Sequence, residues 1–150
     1  TGRVKSLTLI GTALSGDGYD PGPMFAPPTD ETALRASLET AFSREFVDGQ
    51  PDAIEQFVEW RAAEDADRES WERQVAAFDG FAIEEPWEIT EPVLVVHGAE
   101  DRLCSIARGH ELADDLPNAE LFEVGGAGHL AHVEASKVVN DRLGGFLDDA

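Results

Sequence analysis

The sequence predicts an α/β fold, in which a parallel sheet of about three strands is flanked by helices and further helices are inserted after the first strand. Residues 93–96 (Val-Leu-Val-Val) form a continuous apolar run, which is typical of a strand buried on both faces of a parallel sheet. Beyond this run the chain alternates strand, helix, strand and helix, and right-handed crossovers make such strands parallel. Residues 29–80 carry helical patterns only, so we expect them to lie outside the sheet.

The first strand and the loop after it are predicted from composition. Residues 4–10 are rich in β-forming side chains and end at Gly11, which predicts a strand buried mostly in its C-terminal half. Residues 14–28 are rich in glycine and proline, which predicts a loop without regular structure. Irregular chain therefore joins the first strand to the inserted helices.

Three helices are predicted in the inserted region. The first is capped by Thr29 or Asp30 and ends at Gly49. Pro51 suits the first turn of the second helix, and Gly80 ends the third. Their apolar side chains recur at helical spacing: Leu34, Leu38, Phe42, Phe46, Ile54, Phe57, Val58, Trp71, Val75 and Phe78. Because each helix has one apolar stripe to cover, we predict a small helical layer or lid.

The second half of the chain completes the predicted sheet. Ser105 is a candidate N-cap of a helix, and residues 120–124 are a candidate strand. A last helix is predicted over residues 134–148. Its apolar residues are expected on one stripe: Val138, Val139, Leu143, Phe146 and Leu147.

The charge balance is strongly acidic, with 31 acidic against 11 basic residues and a formal net charge of −20. Such a surface repels nucleic acid and anionic membranes, so neither is expected as a partner. Only two of the basic residues, Lys5 and Lys137, are lysines. Low lysine with excess acid favours adaptation to high salt over a merely acidic protein, because about 1 M salt shortens the screening length to about 3 Å.

Cysteine content and hydropathy bear on the compartment. The single cysteine, Cys104, excludes an internal disulfide, and we expect it to be a small apolar filler rather than a nucleophile. No apolar run approaches the roughly 18 residues that a membrane span needs, and no leader pattern opens the chain. These features predict a cytoplasmic protein. The opening sequence, which lacks methionine and soon enters a strand, is expected to be that of a fragment or a processed product.

Two candidate catalytic side chains follow the two later strands. Asp101 comes about four residues after one strand and His129 about five after the next, so both are expected at the carboxyl edge of the sheet, where functional groups of α/β folds gather. Gly125, Gly126 and Gly128 allow a sharp turn that aims the imidazole. An aspartate that accepts a hydrogen bond from an imidazole leaves the other ring nitrogen free to take a proton from a nucleophile.

Simpler interpretations of these residues stay open. Asp101 could merely cap the helix that begins near Ser105. His97, at the end of a buried strand, is expected to be a hydrogen-bonded structural histidine, and His110 a surface residue. Ser15 lies in a loop rather than between strand and helix, which makes it a poor candidate nucleophile.

Neither a metal nor a cofactor is predicted. His129 and His132 form only a His-x-x-His pair, whereas zinc needs three or four convergent ligands. The glycine run at residues 125–128 has no following Lys-Ser or Lys-Thr to hold a phosphate. The tryptophans are expected to be packing residues of the inserted helices: Trp60, Trp71 and Trp87.

Taken in order, these motifs resemble the C-terminal half of an α/β-hydrolase-fold enzyme. Residues 92–101 are similar to the family's strand and loop that carry the acid, and residues 117–129 to its last strand and base. The resemblance implies that Asp101 is the acid and His129 the base, with Glu134 in the same closing motif. It also implies a helical cap at residues 29–80 and a partial core made of residues 1–28 and 81–150.

The family's Gly-x-Ser-x-Gly nucleophile and its oxyanion donors are expected upstream of residue 1. The resemblance therefore implies a hydrolase of carboxylic esters, lactones or similar small apolar substrates, to which this chain supplies two triad members. Epoxide, haloalkane and carbon–carbon bond hydrolysis and cofactor-free haloperoxidation stay open, although the position of the sole tyrosine, Tyr19, ahead of the helices disfavours epoxides. The alternative is a non-catalytic fragment, or a subunit that needs an N-terminal partner.

Overall fold

The sheet has three parallel strands. The computed structural model describes residues 3–17 and 19–149, and in it β1 (Leu7–Ile10), β2 (Val93–Gly98) and β3 (Ala119–Val124) lie in the order β1-β2-β3. All residues of the central strand β2 are buried, as its run of β-branched side chains predicts. The predicted α/β class with about three parallel strands is confirmed.

Among the described residues, four α-helices lie between β1 and β2. They are α1 (Glu31–Ala41), α2 (Arg44–Gly49), α3 (Pro51–Glu64) and α4 (Arg68–Ala76). The starts of α1 and α3 are those that the sequence predicts. Asp30 accepts a hydrogen bond from the Ala33 N–H at 3.0 Å, and Pro51 occupies the first turn of α3.

The first predicted helix is in fact two. The prediction of one helix through Phe46 is wrong, because Phe42 is extended and Ser43 begins α2 by accepting a hydrogen bond from the Phe46 N–H at 3.2 Å. A serine hydroxyl competes with the helical ladder in this way. The third predicted helix also ends early, at Ala76, and residues 77–80 form a turn.

The inserted helices have a hydrophobic cluster of their own. Its buried members are Ala26, Leu34, Leu38, Phe42, Ile54 and Val58. Leu130 and Val133, which follow β3 in the chain, pack against it. The inserted helices therefore rest on the segment that carries His129. The division into a core and a cap stays a prediction.

Three helices follow β2: α5 (Ile106–Asp115), α6 (Ala131–Glu134) and α7 (Ser136–Asp149). Ser105 caps α5 as predicted. The single last helix over 134–148 is corrected to α6 and α7. Its predicted stripe is also too wide, because Val138 and Leu147 are 53% and 54% exposed. Adjacent residues are about 100° apart around a helix, so the neighbours Val138 and Val139, like Phe146 and Leu147, cannot both face the sheet.

Helices cover both faces of the sheet. On one face, Leu94 and Val96 of β2 pack with Phe146 of α7. On the other face, Val93 and Val95 pack with Leu112 of α5 and with Leu116, which directly follows α5. These two layers explain why β2 is apolar at successive positions. β1 forms one edge of the sheet, and Ile10 at its end is exposed. Within the described residues, no helix has the length and apolarity to cross a membrane.

Candidate active site

Asp101 lies in the turn directly after β2. Its Oδ1 accepts hydrogen bonds from the Leu103 and Cys104 N–H groups, both at 2.9 Å. Ser105, not Asp101, caps α5. Asp101 therefore caps the turn that presents it, and this fixes the orientation of its second oxygen, Oδ2.

His129 lies in the turn after β3, and its Nδ1 is 2.8 Å from Asp101 Oδ2. Because a carboxylate only accepts, Nδ1 carries the hydrogen and Nε2 is left as the acceptor of the ring. The two turns approach closely at Gly98, where an added Cβ would lie 2.0 Å from the Gly128 carbonyl oxygen. The structure thus brings together the two residues that the sequence singled out, across the edge where β2 and β3 end.

The Asp101 carboxylate is buried and stays ionised. Burial raises its pKa, but hydrogen bonds from His129, His97 and the Cys104 N–H outweigh burial and hold the pKa well below its usual range. The Asp101 side chain is 0% exposed and that of His129 is 18% exposed. A buried negative charge of this kind stabilises an adjacent imidazolium.

A second imidazole, that of His97, lies on the same carboxylate. Its Nε2 is 2.7 Å from the Cys104 carbonyl oxygen, to which it donates, and it lies 3.3 Å from Asp101 Oδ2. Burial lowers the pKa of His97, but the interactions with Asp101 and Cys104 outweigh burial and raise this pKa above its usual value. Among the described residues, its Nδ1 is a buried nitrogen without a hydrogen-bond partner. The prediction of a hydrogen-bonded structural histidine agrees with this geometry.

A cavity of about 210 Å³ lies next to His129. Gly11 lines it and touches the imidazole, since a Cβ on Gly11 would lie 3.2 Å from His129 Cε1. Tyr19 also lines it, with ring centroids 6.2 Å from His129 and 4.9 Å from Phe78. Burial first, and then electrostatic interactions with Cys104 and Asp101, raise the pKa of Tyr19, so its hydroxyl keeps its proton at neutral pH.

The sequence did not identify this cavity wall. Tyr19, Phe78 and Phe81 come from the loop after β1 and from the turn after α4. Their meeting depends on pairing between those segments, in which the Gly16 N–H donates to the Phe81 carbonyl at 2.9 Å. No periodic pattern signals a contact of that kind. The single tyrosine in a loop was the only available hint.

The remaining candidates lie outside the Asp101–His129 pair. Ser15 lines the cavity in a one-residue bridge with Ala82, not between a strand and a helix. His110 is exposed on α5, as predicted, with Nε2 3.6 Å from Glu123 Oε2. Among the described residues, no group of three or more histidine, cysteine, aspartate or glutamate side chains is placed to hold a metal ion.

Cys104 and the tryptophans have contrasting environments. Cys104 is a buried free cysteine, in keeping with the filler role predicted for it. Trp71 packs against Phe25, with ring centroids 6.0 Å apart. The expectation that all three tryptophans are packing residues is wrong for Trp87, which is exposed. Trp60 is also exposed, but its ring packs edge-on against Phe57, with ring centroids 5.4 Å apart.

The fold and these turns define the class of protein. A model of the alpha/beta hydrolase family matches residues 3–142, and the chain belongs to that family. Over 60 residues it is 32% identical to the uncharacterized hydrolase YugF of Bacillus subtilis (strain 168), a match that spans 40% of this chain and 22% of that protein.

Solved structures share the fold along nearly the whole chain. The meta-cleavage product hydrolase from Pseudomonas fluorescens IP01 superposes with a TM-score of 0.80 at 18% identity, covering 98% of this chain and 57% of that one. The enol-lactonase from Burkholderia xenovorans LB400 gives 0.79 at 24% identity, covering 97% and 57%. The chain therefore spans little more than half the length of these structural relatives.

Proposed function

We propose that the chain supplies the acid and the base of a catalytic triad to a hydrolase of carboxylic esters, lactones or similar small apolar substrates. The observation that carries this proposal is the 2.8 Å contact between His129 Nδ1 and Asp101 Oδ2 at the carboxyl edge of the sheet. The nucleophile is a serine-type hydroxyl on a segment that precedes residue 1.

In the proposed reaction, His129 Nε2 takes the proton of the nucleophile as its oxygen attacks the acyl carbon. Asp101 stabilises the imidazolium and keeps Nδ1 protonated. His129 then gives that proton to the leaving oxygen, and an acyl-enzyme remains. A water molecule then attacks the acyl carbon and gives a proton to Nε2. His129 passes this proton to the oxygen of the nucleophile, and the acid product is released. Asp101 remains a carboxylate throughout, in keeping with its lowered pKa.

The cavity supports a small uncharged substrate. Its lining side chains are apolar, aromatic, hydroxyl-bearing or, at Cys104, a thiol, and none of them is an aspartate, glutamate, lysine or arginine. Binding pockets for drug-sized ligands usually measure about 300–1,000 Å³, so about 210 Å³ suits a smaller group. The likeness to an enol-lactonase adds support for an ester-type bond.

We further propose that β1 pairs with a strand of the N-terminal half of the hydrolase. The Leu7 and Gly11 N–H groups donate to Pro92 and Val96 of the neighbouring segment. Since backbone groups alternate along a strand, those of Thr8 point the other way and are free to pair. An edge strand with unpaired groups is a template for another strand.

The test combines this chain with a separately expressed segment encoded upstream of residue 1. We expect the mixture to hydrolyse 4-nitrophenyl butyrate, and this activity to disappear with His129→Ala. An Asp114→Asn variant on the exposed side of α5 is the matched control and should stay active. A stable complex without hydrolysis, or hydrolysis that survives His129→Ala, would favour the alternative of a non-catalytic fragment.

Tyr19 favours a second candidate, epoxide hydrolysis. Its position ahead of the inserted helices was expected to disfavour epoxide hydrolysis, yet its ring is 6.2 Å from that of His129 and its hydroxyl keeps its proton. Such a phenol suits protonation of a leaving alkoxide. In the same mixture, Tyr19→Phe would abolish hydrolysis of styrene oxide in an epoxide hydrolase. It would leave hydrolysis of the butyrate ester within about threefold if the substrate is an ester, since the general acid is then His129.

A further inference from the structure

One carboxylate joins two segments that lie far apart in the sequence. Glu134 Oε1 accepts hydrogen bonds from the Ser43 N–H at 3.0 Å and from the Gly128 N–H at 2.8 Å. Glu134 Oε2 accepts the hydrogen of the Ser43 hydroxyl. Ser43 is 91 residues away from Glu134 along the chain, whereas Gly128 is 6 away and directly precedes His129. The contacts therefore connect the α1–α2 junction, residues 41–43, to the turn that carries His129.

At the junction end, Ser43 is buried and its hydroxyl has two partners. It accepts from the Phe46 N–H at 3.2 Å and donates its own hydrogen to Glu134. The Phe46 N–H thus donates to the Ser43 oxygen, and the Ser43 hydroxyl donates to the carboxylate. Each hydrogen bond uses a different hydrogen. The start of α2 depends on Glu134 as well as on its own cap.

At the other end, both neighbours of His129 are held against the same junction. Gly128 donates to Glu134, and the Leu130 N–H donates to the Ala41 carbonyl oxygen at 3.2 Å. Gly128 also lies so near the junction that a Cβ there would be 2.8 Å from the Ala41 oxygen and 2.9 Å from the Ser43 nitrogen. The main chain on either side of His129 cannot shift without breaking these contacts.

The junction also contacts the turn that carries the acid. The Arg102 guanidinium, next to Asp101 in sequence, donates to the Phe42 carbonyl oxygen at 3.3 Å. Three consecutive junction residues, 41–43, therefore bond to the segments of both candidate triad members. The Glu134 carboxylate accepts two hydrogen bonds from Ser43 and a third from Gly128, and hydrogen bonds to an ionised acceptor are stronger than those to a neutral one.

We propose that Glu134 is a positioning residue for His129. Asp101 orients the imidazole ring, whereas Glu134 fixes the main chain before it by tying Gly128 to Ser43. The inserted helices and His129 consequently move as one unit. The position of α1 and α2 relative to the sheet therefore determines the distance between His129 and Asp101. This role rests on the proposed function of His129, but the contacts can be measured without any turnover.

The experiment compares Glu134→Ala with Glu134→Gln in the chain itself. Glutamine keeps an oxygen for the two N–H donors, and its amide can donate to the Ser43 oxygen, whereas alanine keeps nothing. We expect amide exchange of Ser43 and Gly128 to rise about tenfold or more in Glu134→Ala and less than about threefold in Glu134→Gln. Amides of β2 and β3 should exchange as in the unmodified chain, which separates this loss from general unfolding.

The spectroscopic readout is the imidazole of His129. Its Nδ1–H resonance, which reports the bond to Asp101, should be lost or shifted in Glu134→Ala and recovered in Glu134→Gln. Unchanged Gly128 exchange in Glu134→Ala, or a Glu134→Gln variant as disturbed as Glu134→Ala, would overturn the proposal. If Glu134→Ala does not fold, Glu134→Gln alone decides: it must keep both Gly128 protection and the His129 resonance, and losing either overturns the proposal. A failed ester assay would count against the proposed function and not against this positioning role.

Discussion

The Nδ1 atom of His129 donates to Oδ2 of Asp101 over 2.8 Å, although the two residues are 28 positions apart. Adjacent parallel strands, β2 and β3, end at the same edge and deliver the two turns to each other. Asp101 is held on its other oxygen by two backbone N–H groups at 2.9 Å. The pair is therefore built before any substrate binds.

Replacing Asp101 with asparagine should nearly abolish hydrolysis while leaving the fold intact. The amide would present its hydrogens to Nδ1 and so favour the wrong tautomer of His129, for which the expected loss of kcat is about 10⁴-fold. The measurement is kcat for 4-nitrophenyl butyrate in the mixture with the upstream segment. Asp114→Asn, an exposed change of the same kind, is the control. A loss of less than about tenfold would argue against a general base oriented by Asp101.

Asp101 should also make stability depend on pH in the acid range. Its pKa in the folded chain lies below that of the unfolded chain, about 3.9, so its contribution is fully present above about 3.9 and is lost as pH falls from there towards the lower pKa of the folded chain. We expect Asp101→Asn to lower the free energy of unfolding by about 1–3 kcal/mol at pH 7. The difference from the unmodified chain should shrink as pH falls from about 4 to about 2. Urea unfolding at several pH values measures this, and a constant difference would contradict it.

Gly98→Ala tests the close approach of the two turns. Its Cβ would lie 2.0 Å from the Gly128 oxygen and 2.5 Å from the Ala127 oxygen, both backbone atoms that cannot rotate away. We expect a loss of about 1–3 kcal/mol in unfolding free energy and a longer separation of Asp101 from His129. Gly125→Ala is the matched control, because nothing lies within 4 Å of the Cβ it would add. Equal effects of the two changes would show that packing at Gly98 is not the cause.

The net charge of −20 predicts that salt stabilises the chain. Repulsion among carboxylates is screened within about 3 Å at 1 M salt, so the melting temperature should rise by about 3 °C or more between dilute buffer and 1 M KCl. Changing the exposed neighbours Glu84 and Glu85 to glutamine should reduce this rise. A melting temperature that does not change with salt would refute the high-salt interpretation.

The sequence predicted what depends on local pattern. The apolar run of β2 and the placement of Asp101 and His129 after strand ends follow from periodicity and from the geometry of parallel sheets. The break at Ser43 was missed because the apolar spacing of four continues through Phe46, and because one of the groups that bind Ser43, the Glu134 carboxylate, lies 91 residues away. Tyr19 was missed as a neighbour of His129 because the path of its loop is set by contacts distant in sequence.

Covalent labelling of the nucleophile shows whether His129 activates it. A fluorophosphonate reacts with a serine only when a neighbouring base activates it, so the mixture of this chain with its upstream segment should be labelled on that segment. His129→Ala in this chain should slow labelling by about 10³-fold or more, since it removes the base in trans. If the upstream segment is labelled at the same rate with the unmodified chain and with His129→Ala, His129 is not the base that activates the nucleophile.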